Sequence, residues 1–231
     1  MPNWCSNNVT ITLKDGVDVD DFISKIGHFE THNDSQFVID FEKIVPQPFI
    51  DEDGEITEEG MVDVEVYPAD HPLSGYKSPY WYKWRLSNWG TKWNVYPTPD
   101  WSCDHYDKSK QEIQFGIQTA WSPPEGIYER LCKMDEVSDF SADYEEEGMD
   151  FYGVYQLEDG ELVDIEMDRV TYWIDHQGLS DEEFKEQFHS ELWEIENEDD
   201  PDDCDYFDEL VERWEEDKKQ IETIRKLKEV A

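Results

Sequence analysis

His28 and His32, in the run HFETH, stand four residues apart and could face one way on a helix, as two zinc ligands would. The third ligand that zinc needs is not apparent, and a loop position fits the pair as well as a helix does, so no metal is expected there. Cys103-Asp104-His105 sets a thiol near an imidazole. A nucleophile and its base rarely lie two residues apart, and a surface loop is the expectation. Asp51-Glu52-Asp53-Gly54, followed by Ile56, imitates the middle of a calcium loop. Aligning Gly54 with the glycine of such a loop puts Phe49 at the first ligand position and Gly60 at the last, where carboxylates are required. Phosphate-loop, H-E-x-x-H and G-x-S-x-G patterns do not occur. The chain is therefore read as a non-enzyme with no cofactor and no metal.

The run NWGTKWNVY at 88–96, with Trp81 and Trp84 just upstream, gathers several tryptophans in one short stretch that also holds Gly90 and Lys92. One reading is an aromatic cluster closing one end of a sheet, with Gly90 allowing a tight turn and Lys92 capping a carbonyl or carboxylate. The other is a pocket in which Trp89, Lys92, Trp93 and Trp121 hold a flat or cationic small ligand or peptide. Clustered tryptophans more often form core than site, so the first reading leads.

Charge is the strongest global signal. Lys plus Arg is 19 and Asp plus Glu is 59, for a net −40. The excess is uneven: residues 135–217 hold 34 acids against Arg169, Lys185 and Arg213, net −31, whereas residues 1–134 hold 23 acids and 11 bases, net −12. Such a field repels nucleic acid and anionic membrane and steers basic surfaces inward. An aromatic fraction of 14% is too rich for a disordered acidic tail, since each large ring buries much apolar area. Abundant bulky aromatics, with Lys exceeding Arg, also argue against adaptation to high salt. Cys5, Cys103, Cys132 and Cys204 lie far apart without a C-x-x-C spacing. The first residues, MPNWCSNNVTITLKDG, lack a basic segment followed by a long apolar one, and no run approaches a membrane span. A cytoplasmic setting with reduced thiols is expected.

The elements that must position these groups follow from periodicity. Val9, Ile11 and Leu13 alternate with polar residues as a half-buried strand. Val19, Phe22, Ile23 and Ile26 have helical spacing ending at Gly27, a C-cap candidate. Residues 37–41 predict a second strand, stopped by Pro46 and Pro48. Residues 49–79 read as an insertion or long loop, and 80–93 as a helical turn with a loop. Ile113, Phe115 and Ile117 mark a third strand, and Ser122-Pro123-Pro124-Glu125 opens a helix. Two further strands, 149–157 and 162–167, meet across Glu158-Asp159-Gly160, a strong hairpin signal. Phe184, Phe188, Leu192 and Ile195, then Phe207, Leu210, Val211 and Trp214, predict two amphipathic helices around an acidic break at 199–203. The order fits an α+β fold with helices on one face of a mainly antiparallel sheet at 1–168, and an acidic helical extension at 169–231.

Five blocks occur in one order: NWCSNNVTI at 3–11, FEKIVPQP at 41–48, NWGTKWN at 88–94, TAWSPP at 119–124, and EEEGMDFYGVY with DGELV at 145–163. Together they resemble the YubB-type ferredoxin-like domain family of phages, prophages and conjugative plasmids, over roughly residues 1–168. The resemblance implies a ferredoxin-like fold and a mobile-element origin, and it implies no reaction. Asp150 or another carboxylate of these blocks with His105 is the residual enzymatic reading. Acids interleaved with aromatics on helices stand in fixed rows, and such rows can imitate the charge of a duplex, about one per 1.7 Å. The expected function is thus an inhibitor that occupies the basic nucleic-acid channel of a host defence protein. Its expected contact is Glu194, Glu196, Glu198, Asp199, Asp200, Asp202, Asp203, Asp205, Asp208, Glu209 and Glu212.

Overall fold

The computed structural model describes residues 3–29, 37–95, 106–107, 111–146, 148–149 and 151–167. The chain divides into two compact units, Met1–Met149 with Val154–Ile165, and Asp150–Gly153 with Glu166–Ala231. The extension expected at 169–231, with all eleven acids from Glu194 to Glu212, lies outside the described residues.

The elements run β1 (Trp4–Leu13), α1 (Val19–Ile26), β2 (Gly27–Phe29), β3 (Phe37–Ile39), α2 (Phe41–Ile44), β4 (Asp63–Glu65), β5 (Lys77–Pro79), α3 (Tyr80–Asn88) and β6 (Tyr106–Asp107). Then come β7 (Glu112–Ala120), α4 (Glu125–Cys132), β8 (Val137–Glu146), β9 (Phe151–Glu158) and β10 (Glu161–Met167). The main sheet has six strands in the order β10-β9-β8-β1-β7-β6. β1 lies between β7 and β8, antiparallel to both, and β6 is antiparallel to β7. Strands β1, β6, β7 and β8, with helical segments after β1 and after β7, make the β-α-β-β-α-β ferredoxin-like pattern. β9 and β10 extend it on the β8 side. The fold is α+β and ferredoxin-like.

Alternation decides which face is buried. Cys5, Asn7, Val9, Ile11 and Leu13 are buried while Trp4, Ser6, Asn8, Thr10 and Thr12 are not. The inward face meets Ile127, Tyr128 and Leu131 of α4, with the Tyr128 ring 5.1 Å from Phe140 of β8. Asp18 caps α1 by accepting from the amides of Asp20 and Asp21, leaving Phe22, Ile23 and Ile26 to pack inward.

The sequence reading needs three corrections. The strand expected at 37–41 ends at Ile39, because Asp40 turns to cap α2 by accepting from the Glu42 amide, and it pairs with β2 outside the main sheet. The second strand of the ferredoxin pattern is instead the two-residue β6, and the fourth is β8, over residues where the sequence reading placed no strand. Gly27 is the expected C-cap of α1, its amide donating to the Ile23 carbonyl, but it is extended, at φ −173, so handedness does not require glycine there. A Cβ there would lie 2.2 Å from the Val38 carbonyl oxygen; the glycine serves close approach of β2 and β3. Residues 49–79 are not bare loop either, since β4 and β5 pair as a ribbon. The β9–β10 hairpin is present, with Asp159 at φ 49 and Gly160 at φ 84, both left-handed as the Asp-Gly turn requires.

Candidate functional site

Strand register brings the sequence blocks together at one end of the sheet. Trp4 pairs with Ala120, the Trp121 amide donates to the Asn3 carbonyl, and Ser6 pairs with Glu145. The 88–94 block is tied to this end by side chains. The Thr91 hydroxyl donates to the Ala120 carbonyl at 2.9 Å and accepts from the Ala120 amide at 3.0 Å. The Ser122 hydroxyl donates to the Gly90 carbonyl at 2.6 Å. Beneath them, the Asn7 amide donates to the Thr119 hydroxyl at 3.0 Å, and the Tyr128 hydroxyl donates to the Asn7 side-chain oxygen at 3.0 Å. Asn7, Thr91, Thr119 and Tyr128 are all buried, so each bond satisfies a group that would otherwise be orphaned.

Two glycines set how closely the pieces meet. Gly90 has φ +84, and a Cβ there would lie 2.8 Å from the Glu125 amide. At Gly126 a Cβ would lie 2.1 Å from the Asn88 carbonyl oxygen, so the start of α4 rests on the end of α3 without a side chain between them.

Trp89, just past α3, is fully buried. Its indole N–H donates to the Val45 carbonyl at 2.9 Å, and its ring meets Phe41 at 5.7 Å and Trp84 at 5.9 Å, both edge-on. The Arg85 guanidinium lies 4.9 Å from the centres of both the Trp81 and Trp89 rings. Its Nε donates to the Gln47 side-chain oxygen at 2.7 Å, while the Gln47 amides, backbone and side chain, donate to the Glu42 carboxylate. Burial lowers the Arg85 pKa, with Glu42 opposing, and burial raises that of Glu42 against the Gln47 backbone bond and Arg85. This Glu42–Gln47–Arg85 relay was not singled out from sequence, although the FEKIVPQP block carries two of its members.

Among the described residues, Lys92 caps no carbonyl or carboxylate. Its ammonium sits over Trp93 at 4.7 Å and Tyr82 at 5.4 Å, and Trp93 in turn meets Trp4 at 6.2 Å. Trp4 and Trp121 are 43% and 42% exposed. Trp121 also holds φ 75, strained for a bulky residue. Of the residues read as a pocket, Trp89 is therefore core with a face taken by Arg85, whereas Lys92, Trp93 and Trp121 stand nearer the surface.

The remaining chemistry is quickly placed. His28 is exposed on β2 rather than on a helix, and His32, Cys103, Asp104, His105 and Asp150 lie outside the described residues. Among the described residues, no group of three His, Cys, Asp or Glu could hold a metal ion. The Asp51 carboxylate accepts from the amides of Asp53 and Glu55, closing its own turn. Burial pushes the Cys5 and Cys132 thiols up to about 12, which leaves them protonated and poor nucleophiles at neutral pH. Among the described residues, no helix is long and apolar enough to cross a membrane.

Residues 92–191 match the family described as a ferredoxin-like domain in Api92-like protein. No curated protein and no solved structure matches the chain. The family match begins at Lys92, covers β7 to β10, runs past residue 168 and stops before Glu194.

Proposed function

We propose that this protein is a non-enzymatic binding protein of phage or plasmid origin. It inhibits a basic, nucleic-acid-binding host protein, a defence factor being the kind considered, by occupying its nucleic-acid surface in the cytoplasm. One observation carries the reading: 34 acids against three bases at 135–217, net −31, interleaved with aromatics at helical spacing. Carboxylates held in rows present the regular negative charge that a basic channel is built to meet. The ferredoxin-like sheet serves as scaffold, and Glu194 to Glu212 supply the contact. The small-ligand alternative draws less support, because a ligand stacking on Trp89 would have to displace Arg85 and enter the core.

The test begins with a protein captured from host lysate and proceeds by competition. Binding is measured by surface plasmon resonance with and without duplex DNA, across ionic strength. Expected are mutual exclusion with DNA and steep weakening as salt rises, chiefly through the on-rate. Replacing Asp199, Asp200, Asp202, Asp203 and Asp205 by Asn is expected to weaken binding without lowering the melting temperature. Simultaneous binding of DNA and this protein, or full affinity in the Asn variant, ends the mimicry reading.

A further inference from the structure

The acidic excursion at 49–79 contains a sheet edge that no described residue pairs. In the β4–β5 ribbon, Asp63 faces Pro79, Val64 faces Ser78 and Glu65 faces Lys77. The Val66 amide donates to the Tyr76 carbonyl and the Tyr80 amide to the Val62 carbonyl. An antiparallel ladder alternates, so Val64 and Val66, together with the Val62 carbonyl, turn their backbone groups toward β5, while the Val62 amide donates to the Glu59 carbonyl. The N–H and C=O of Asp63 and Glu65 then point out of the opposite edge. Among the described residues these groups have no hydrogen-bond partner. The outer edge of β5 is guarded differently, since Pro79 has no N–H to offer and Lys77 stands beside it.

Side chains along the open edge alternate in kind. Asp63 and Glu65 are exposed on one face of the ribbon, while Val62 and Val64 belong to the other, and Val62 is 57% exposed. Met61 beside it is 55% exposed, and Tyr76, on the same ribbon face as Val62, is 52% exposed. Lys77 is the sole basic residue between 49 and 79, against nine acids.

We propose that the outer edge of β4 takes an extended segment of a partner protein by strand addition, a segment that alternates basic and apolar residues. Main-chain hydrogen bonds to Asp63 and Glu65 hold it, and the alternation confers specificity. Basic residues fall opposite Asp63 and Glu65, and the apolar residue between them lies beside Val64 and Val62. A second copy of this chain is a poor occupant, because pairing β4 with β4 brings like charges together. The acids that discourage self-pairing thus select a basic strand. The partner is of the basic class proposed above, but the contact is a separate one, and its test does not pass through residues 194–212.

The probe is an acetylated, amidated octapeptide of alternating Lys and Val, titrated into the full-length, isotopically labelled chain and followed by amide shifts and hydrogen exchange. Glu–Val and Lys–Ser peptides are the comparisons. Expected are shifts and slowed exchange at the Asp63 and Glu65 amides with the Lys–Val peptide. Affinity is expected to fall at least about tenfold in D63K/E65K, which should instead bind the Glu–Val peptide. The five-Asn variant at 199–205 should bind the Lys–Val peptide as wild type does. Unmoved amides at 63 and 65 under saturating peptide overturn the proposal. So does equal binding of the Lys–Ser peptide, unchanged affinity in D63K/E65K, or loss of binding in the five-Asn variant.

Discussion

Removing Trp89 tests whether the tryptophan-rich stretch is core. The side chain is fully buried, and its truncation to alanine opens a cavity bounded by Phe41 and Trp84. Large aromatic deletions of this kind cost about 3–5 kcal/mol. Two further losses push the value toward the top of that range. The Val45 carbonyl loses its indole donor, and Arg85 loses one of its two rings. Urea denaturation of Trp89→Ala should therefore show a loss of about 4–5 kcal/mol, with a fall in melting temperature of roughly 8–20 °C for a chain of this size. Trp89→Phe keeps a ring in place but cannot donate to Val45, so about 1–3 kcal/mol is expected, and this variant should stay folded if the alanine does not. Trp4, 43% exposed, provides the contrast: Trp4→Ala should lose less than half as much as Trp89→Ala. Equal losses at the two positions, or a loss under about 1 kcal/mol at Trp89, would refute the assignment of this stretch to the core.

Three other expectations follow from particular contacts. Gly126→Ala puts a Cβ 2.1 Å from the Asn88 carbonyl oxygen, a backbone atom that cannot swing aside, so the melting temperature should fall markedly although alanine is the better helix former. Native-state alkylation at pH 8, read site by site by mass spectrometry, should leave Cys5 and Cys132 nearly unmodified, because both thiols lie near 12, and reductant should leave their reactivity unchanged. Burial raises the pKa of Glu42, so the folded state holds its proton more tightly than the unfolded chain does. The associated stability is full below the ordinary carboxylate range and is lost as pH rises through the raised value. Wild type should therefore lose ground to Glu42→Gln as pH rises across that window, and the opposite slope would mean that attraction to Arg85 outweighs desolvation.

The sheet was legible in the sequence where strands alternate and turns are local. β1, β7 and the β9–β10 hairpin follow from period and from Asp159-Gly160, because those signals sit within a few residues of what they specify. β6 was not legible: two residues have no period, and their pairing with Ile113 and Glu112 is settled by the hairpin partner. The strand expected at 37–41 failed for a related reason. Its apolar run is real, but Asp40 is also a helix cap, and the cap divides the run between β3 and α2. At the candidate site the blocks were legible as blocks. Their meeting, Thr91 with Ala120 and Trp89 with Val45, depends on pairings 29 and 44 residues apart, which no local pattern encodes.

A net charge of −40 repels itself, and it does so most when the chain is compact. The scarce cations would answer that repulsion best on the surface, yet Arg85 and Lys92 stand over tryptophan and tyrosine rings. Ion pairs among the described residues include Lys25 with Glu136 and Lys133 with Glu129, both solvent-accessible and of the kind that stabilises little. Stability must then come from the aromatic core, where each large ring removes much apolar area from water. This explains why so acidic a protein carries so many tryptophans. It also separates the two questions experimentally. Acids that do not hold the fold together can be neutralised without unfolding it, so a variant that stays folded and loses its partner reports on binding alone. A basic partner would supply the countercharge that the chain itself lacks, and binding should therefore raise the melting temperature most at low salt, where the unrelieved repulsion is greatest.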